Sequence, residues 1–472
     1  MPAKKQGSTA FHDRIAPPAE RRAAGKALRA ATPRTSHAGW EPSSGRVDPV
    51  EVLVESNRTR QQDLVPLRYA RMAASPFAFL RGSALVMSLD LATHPRSGPE
   101  VTICGDAHLA NFGLYASPER RLVFDLNDFD EACEGPFEFD LKRLAASIVV
   151  AGRERGLDAV ATSRLVVDAI GTYRDWMDRY GDMSRLDVHY ARIDADDLVG
   201  MMETDTARRR GDDFLRRVMG KNHLKALNKL TTMVDGQWRI VPDPPIVTRF
   251  DLPRLKEILD TALVQYHDSL AADRQHLFEQ YRFVDFARKV VGVGSVGTRC
   301  WIVLLQGPNG GPLFLQVKEA RPAVPHLALG RPPAAHEGRR VVESQRSLQA
   351  VSDILLGWTT GEEGVQYFVR QMWDAKGSFD IPTMKASGFR AYVRLCAWAL
   401  ARAHARTGDP ATISGYVGAS DTLPDAIAEF AQGYADQTER DHAALVAALA
   451  DGRLPSMPAV PVERDLPVPA TT

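Results

Sequence analysis

Apolar residues along this chain keep two different periods, and the change from one to the other divides it. Leu141, Leu144, Ala145, Ile148 and Val149 recur three and four apart, which predicts a buried helix beginning near Asp140, itself placed to cap it. Ser75-Pro76 fits an N-cap followed by proline at the first helical position, so a helix is expected over 77–91, buried along Phe79, Leu85, Val86 and Leu89. Short apolar runs at 100–103, 112–115 and 122–125 read as a strand and a hairpin, and the stretch from Asp128 through Gly135-Pro136 reads as turn leading into the helix. Helical spacing then dominates 161–229 and 255–281, with a small strand pair over 233–241. At Phe283 the pattern becomes β-branched and alternating: strands are expected at 284–293, 298–306 and 313–320, the last two joined by the turn residues Pro308-Asn-Gly-Gly-Pro312. A helix over 338–353, strands at 355–360 and 365–373, an apolar helix over 389–406 and a final helix over 423–449 complete the order. The fold class expected is α+β.

Composition narrows the function classes. Of 472 residues 44% are apolar and 25% charged, and Lys plus Arg equals Asp plus Glu at 59 each, so nothing global points to nucleic acid or an anionic membrane as partner. The basic stretch Arg208 to Lys229 is interleaved with Asp212 and Asp213 and short of aromatics, which reads as a solvated helix face. Cys104, Cys133, Cys300 and Cys396 show no CxxC spacing, which fits a reducing compartment. With no apolar run of about 18–20 residues and no signal-like start, a cytoplasmic location is expected.

Two stretches carry chemistry. Cys104-Gly105-Asp106-Ala107-His108-Leu109-Ala110-Asn111, followed by Asp125, Asp128 and Asp130, supplies a proton acceptor and several hard oxygen ligands, the inventory for magnesium beside a phosphate. Far downstream, Gly292-Val-Gly294-Ser295-Val-Gly297 offers backbone that can approach phosphate oxygens. A Rossmann unit needs a helix after such glycines and an acid about 20 residues on. Here a strand follows, and the residue 21 positions past Gly297 is Lys318. A strand ending in Val-Lys318 suits a lysine that meets nucleotide phosphates and pairs with a helix glutamate, for which Glu343 is the expected partner and Glu337 the other available one.

Gly105-Asp106-x-His108-x-x-Asn111 resembles the Gly-Asp-x-His-x-x-Asn loop of aminoglycoside and choline kinase-like phosphotransferases. The resemblance implies Asp106 as catalytic base or hydroxyl-orienting group, with His108 contacting substrate or bracing the loop. It also implies Asn111 and Asp128 as magnesium ligands, Asp128 being chosen for its spacing to Asp140, and Asp140 as a brace. Cys104 stands where those enzymes carry histidine. The order is also reversed, since Asp106 precedes Gly292 by nearly two hundred residues. The implied architecture is therefore a circularly permuted, protein-kinase-like fold with two lobes. Its parts are a flexible basic tail (1–48), a mostly helical lobe with the catalytic and metal loops (49–282), a small antiparallel β-rich nucleotide-binding lobe (283–376), C-terminal helices packing on the large lobe (377–454) and a flexible tail (455–472).

The implied activity is ATP- and Mg2+-dependent phosphotransfer to a hydroxyl on a small molecule or protein. Alternatives are a metal-dependent phosphohydrolase using Asp106, His108, Asn111, Asp125 and Asp128, or an inactive nucleotide-binding module. Residues 24–441 also resemble a bacterial family catalogued as domain of unknown function 2252, chiefly in 67–82, 105–113, 124–146, 291–320, 338–349 and 434–437.

Overall fold

The helix that follows the aspartate-rich turn runs through the middle of the molecule. In a computed structural model, which describes residues 16–457 except 201–204, 221–226, 228–229, 250–254, 291 and 373–376, Phe137–Glu154 is buried along all but its last turn. A helix enclosed on every side must satisfy its charges internally. Glu138 accepts from the Ser97 amide at 2.8 Å, Lys142 Nζ lies 2.7 Å from His94 Nδ1, and Asp140 and Arg143 turn toward the loop at 104–106. Around this helix pack Ala159–Asp182, Ala386–Thr407 and Thr422–Ala450.

The protein is α+β. Its largest sheet is wholly antiparallel, in the order Gly357–Thr360, Gln366–Gln371, Pro312–Glu319, Cys300–Gln306, Arg282–Lys289, Val247–Thr248. Alternation assigns its faces. Phe286, Val303, Leu305, Leu313 and Leu315 pack on Tyr266 and Leu270, while Ala287, Ile302, Leu304 and Phe314 pack on Leu227, Ile240 and Val247. Helix Glu337–Leu348 lies against this sheet and reaches the strand Cys133–Pro136.

Three expectations are corrected. The helix expected over 77–91 is two helices, Pro76–Gly82 and Ala84–Ala92, broken at Ser83, where the Gly82 carbonyl accepts from Arg68 and a Cβ on Gly82 would lie 2.6 Å from Met72. Residues 133–136, expected as turn, form a strand. Residues 16–48, expected within a flexible tail, pack onto helix Pro410–Val417: Arg21 pairs with Asp409 at 2.7 Å and Arg29 bonds the Gly415 and Tyr416 carbonyls. Lys221, Lys225 and Lys229 of the basic stretch, and residues 458–472 of the expected C-terminal tail, lie outside the described residues.

Candidate active site

Strand pairing brings the two halves of the aspartate-rich region together. Glu100–Ile103 pairs with Cys133–Pro136, Ile103 opposite Cys133, so the loop leaving one strand runs beside the turn entering the other. The hairpin Phe112–Ala116/Leu122–Leu126 does the same one step on: the Asn127 amide donates to the Asn111 carbonyl at 2.9 Å. At the closest approach stands Gly105, with φ +76° and room for no side chain, since a Cβ would lie 2.2 Å from the Glu131 carbonyl oxygen. Asp140 fixes the loop from below. Its carboxylate accepts from the Cys104 and Gly105 amides at 2.6 and 2.9 Å and from His404 Nε2 at 3.1 Å, and Tyr173 holds His404 Nδ1 at 2.9 Å. Thus the brace is an aspartate on the next helix with a histidine from near the C-terminus, while Cys104 is a buried thiol 3.4 Å from the Asp128 carbonyl. All four cysteines are free and buried.

Asp106 opens into a cleft but keeps only 16% of its side-chain surface exposed. Arg143 Nε and Nη2 grip its Oδ1 at 2.8 and 2.7 Å. Burial still pushes the carboxyl up to about 6, against the pull of Arg143. His108 lies 3.7 Å from the other carboxylate oxygen, and burial beside Arg81 and Arg143 holds its imidazole well below its ordinary range, so it is neutral. Asn111 donates its side-chain amide to the Asp106 carbonyl at 2.8 Å.

The glycine loop joins Arg282–Lys289 to Cys300–Gln306, strand to strand. Its buried Val293 and Val296 seat it on helices Pro49–Asn57 and Val65–Met72 through Leu53, Tyr69 and Leu67. Arg60 Nη1 and the Gln61 amide hold the Val296 and Gly297 carbonyls at 2.7 Å each, and Arg71 reaches the Gly292 carbonyl at 3.2 Å. Gly292, Gly294 and Ser295 line the same cleft as Asp106, His108, Asn111 and Asp128. Gly297, with φ +85°, sits behind the loop against Arg60.

Lys318 is buried, and its ammonium is bonded to Asp130, which also takes a 3.4 Å contact from Ser295 Oγ. Burial would lower the lysine, but Asp130 and then Asp128 prevail and raise it, so it stays charged.

The expected pairing of Lys318 with Glu343 is not made. Glu343 points outward, 54% exposed and bonded to Arg339 at 2.7 Å, and Glu337 pairs with Arg340. Arg340 in turn donates to the Asp130, Ala132 and Arg321 carbonyls, so the helix braces the aspartate turn through arginine. Of the three clustered aspartates, Asp125 is sealed away from the cleft: both its oxygens lie within 2.8 Å of Arg402 Nη2, and each residue is 0% exposed.

The cleft holds about 460 Å³. Of the expected residues, Lys318, Gly297 and Glu343 are not among those that line it; beside the others it is lined by Glu131, pushed up to about 7 by burial, and by Arg58, Arg60, Arg68, Arg81 and Arg321. From the sequence, Arg68 and Arg81, with Arg71, stand near the loop as arginines that could grip phosphate, a surface or ion-paired role being the default, whereas Arg58, Arg60 and Arg321 carry no spacing that separates them from surface residues. Beyond Lys318, Cys300, Gln316 and Arg370 bond to one another and do not line the cleft. Among the described residues no three His, Cys, Asp or Glu side chains gather as a metal site. Hard oxygen donors at the cleft include Asp106, Asp128, Asp130, Glu131 and the Asn111 amide, with Asp130 already bonded to Lys318.

No helix among the described residues is long and apolar enough to cross a membrane. No curated protein and no solved structure matches the chain. Residues 60–448 match the family model described as an uncharacterized protein conserved in bacteria, DUF2252. Because that match spans well over half of the chain and takes in Asp106, Asn111, Asp128 and the glycine loop, the chain belongs to the DUF2252 family.

Proposed function

We propose that this protein is an ATP- and Mg2+-dependent phosphotransferase on a circularly permuted, protein-kinase-like two-lobe fold, acting on a hydroxyl of a small molecule or protein. The observation that carries this reading is one cleft bordered both by Asp106, Asn111 and Asp128 and by Gly292, Gly294 and Ser295, segments nearly two hundred residues apart in the chain. Phosphoryl transfer asks the protein mainly for positioning and electrostatics, and the cleft has parts for both. Glycine-loop amides and Lys318 hold phosphates. Asp128 and Asn111 hold the metal, which draws charge from the phosphates when bound. Magnesium uses one or two carboxylates, phosphate oxygens and water, so it needs no cluster of three protein acids. Sealed on Arg402, Asp125 drops out of the donor set a two-metal phosphohydrolase would use.

Asp106 orients the acceptor hydroxyl and takes its proton. A carboxyl pushed up to about 6 is ionised at neutral pH yet basic enough to accept one. Arg143 fixes its direction, and neutral His108 beside it adds no competing charge. Replacing Asp106 with Asn should lower ATP turnover by about 10²–10⁴ while nucleotide affinity stays within a few-fold. Turnover that survives the change removes Asp106 from this role.

A further inference from the structure

Of the arginines that border the cleft, all but one have something to hold. Arg58 pairs with Glu55, Arg60 donates to the Val296 carbonyl, Arg68 to Asn57 and the Gly82 carbonyl, and Arg321 to Ser56 and Thr59. Behind the wall, Arg143 is spent on Asp106. The Arg81 side chain makes no hydrogen bond to any described residue: its Nε is buried without a partner, as are those of Arg60 and Arg68, but unlike theirs its terminal nitrogens hold nothing either, and the half-buried residue lines the cleft. A guanidinium nitrogen held from water without an acceptor is unfavourable, and a ligand in the cleft that carries acceptor oxygens would relieve it.

Its place in the chain tells which ligand. Arg81 lies in the last turn of helix Pro76–Gly82, one residue after Leu80, whose carbonyl accepts from the same Arg143 Nη2 that grips Asp106. Its own carbonyl lies 3.2 Å from where a Cβ on Gly294 would sit, so its backbone abuts the glycine loop. Its charge is felt by Asp106 and Asp128, whose fields oppose the lowering that burial imposes on it. Arg81 therefore lines the cleft with its backbone against the glycine loop and its charge within reach of Asp106 and Asp128. Resting on the reading above, this is where the phosphoryl group would pass from donor to acceptor.

We infer that Arg81 is a catalytic residue that grips the non-bridging oxygens of the transferring phosphoryl group, an arginine finger supplied by the chain itself. As transfer proceeds, the bond from the acceptor oxygen to phosphorus forms and the bond from phosphorus to the β-phosphate oxygen breaks. That oxygen leaves with the bonding pair as part of ADP, and the hydroxyl proton goes to Asp106. Arg81 keeps its protons and donates hydrogen bonds to oxygens whose charge the transition state spreads. A planar fork suits this task better than an ammonium, so lysine is a poor replacement.

Binding of ADP with magnesium, with and without aluminium fluoride as mimic of the transferring group, tests it by calorimetry on the full chain. The wild type should gain at least tenfold in affinity from the fluoride. Arg81→Gln and Arg81→Lys should lose that gain while affinity for ADP alone stays within threefold, and ATP turnover should fall about 10²-fold or more. Two substitutions, each checked by thermal melting, guard against one that fails to fold. A fluoride gain that is the same in either folded variant as in the wild type, or absent from the wild type, overturns the role of Arg81 and leaves the nucleotide site standing. A wild type that binds no ADP overturns the phosphotransferase reading and this inference with it.

Discussion

Asp106 shows how one residue's surroundings set a working pH. Burial raises its carboxyl to about 6, more than Arg143 lowers it, so the group is ionised above that value and protonated below it. Only the ionised form accepts a hydroxyl proton. ATP turnover should accordingly be full above about pH 7, fall to half near 6 and keep falling in acid. A profile flat from pH 5 to 8 contradicts the assignment. The identity of Asp106 was legible in the sequence because Gly-Asp-x-His-x-x-Asn fixes residue types at fixed distances along one loop. Arg81 was legible only as one of three arginines, with Arg68 and Arg71, that could grip phosphate; what singles it out is a side chain without a hydrogen-bond partner, a property of the folded surroundings that no spacing encodes.

At the scale of elements, the loop stands on the helix behind it. Asp140 accepts two loop amides and the His404 ring, all out of water. Asp140→Ala leaves those donors unsatisfied, and the expected loss is about 3 kcal/mol or more, read from urea denaturation. A loss below about 1 kcal/mol, the net worth of a single ordinary hydrogen bond, would mean that the loop is held by something else. Apolar spacing after Asp140 announced the buried helix but cast Asp140 as its cap; the helix begins at Phe137, and Asp140, one turn inside it, accepts from the loop instead, a brace that only the kinase-like resemblance implied. The same periodicity, applied to Glu337–Leu348, argues against Glu343: Val341, Gln345 and Leu348 define the buried stripe and 343 falls outside it. The strand at 133–136 was illegible for a different reason. Cys-Glu-Gly-Pro has turn composition, and only pairing with Glu100–Ile103 makes it extended.

Across the whole molecule, buried charges stitch segments that are far apart in the chain. Arg402, on helix Ala386–Thr407, bonds both oxygens of Asp125 in the hairpin and the Leu348 carbonyl at the end of the helix beside the sheet. With both partners at 0% exposure, removing one strands the other's charge. Arg402→Met alone should cost about 3–5 kcal/mol, whereas Arg402→Met with Asp125→Leu should recover much of that loss. A double-mutant cycle by chemical denaturation reads the coupling, and strictly additive losses would contradict it. The same logic governs the cleft: chain order is irrelevant to a site built by contacts, so the glycine loop at 292 and the aspartate loop at 106 can line one cleft.

Whether those two loops serve one nucleotide is the central question, and calorimetric titration with a non-hydrolysable ATP analogue answers it most directly. The account predicts binding that requires magnesium and that weakens at least tenfold in Lys318→Ala. Failure of the folded wild type to bind the analogue, or affinity indifferent to magnesium and to the loss of Lys318, would contradict it.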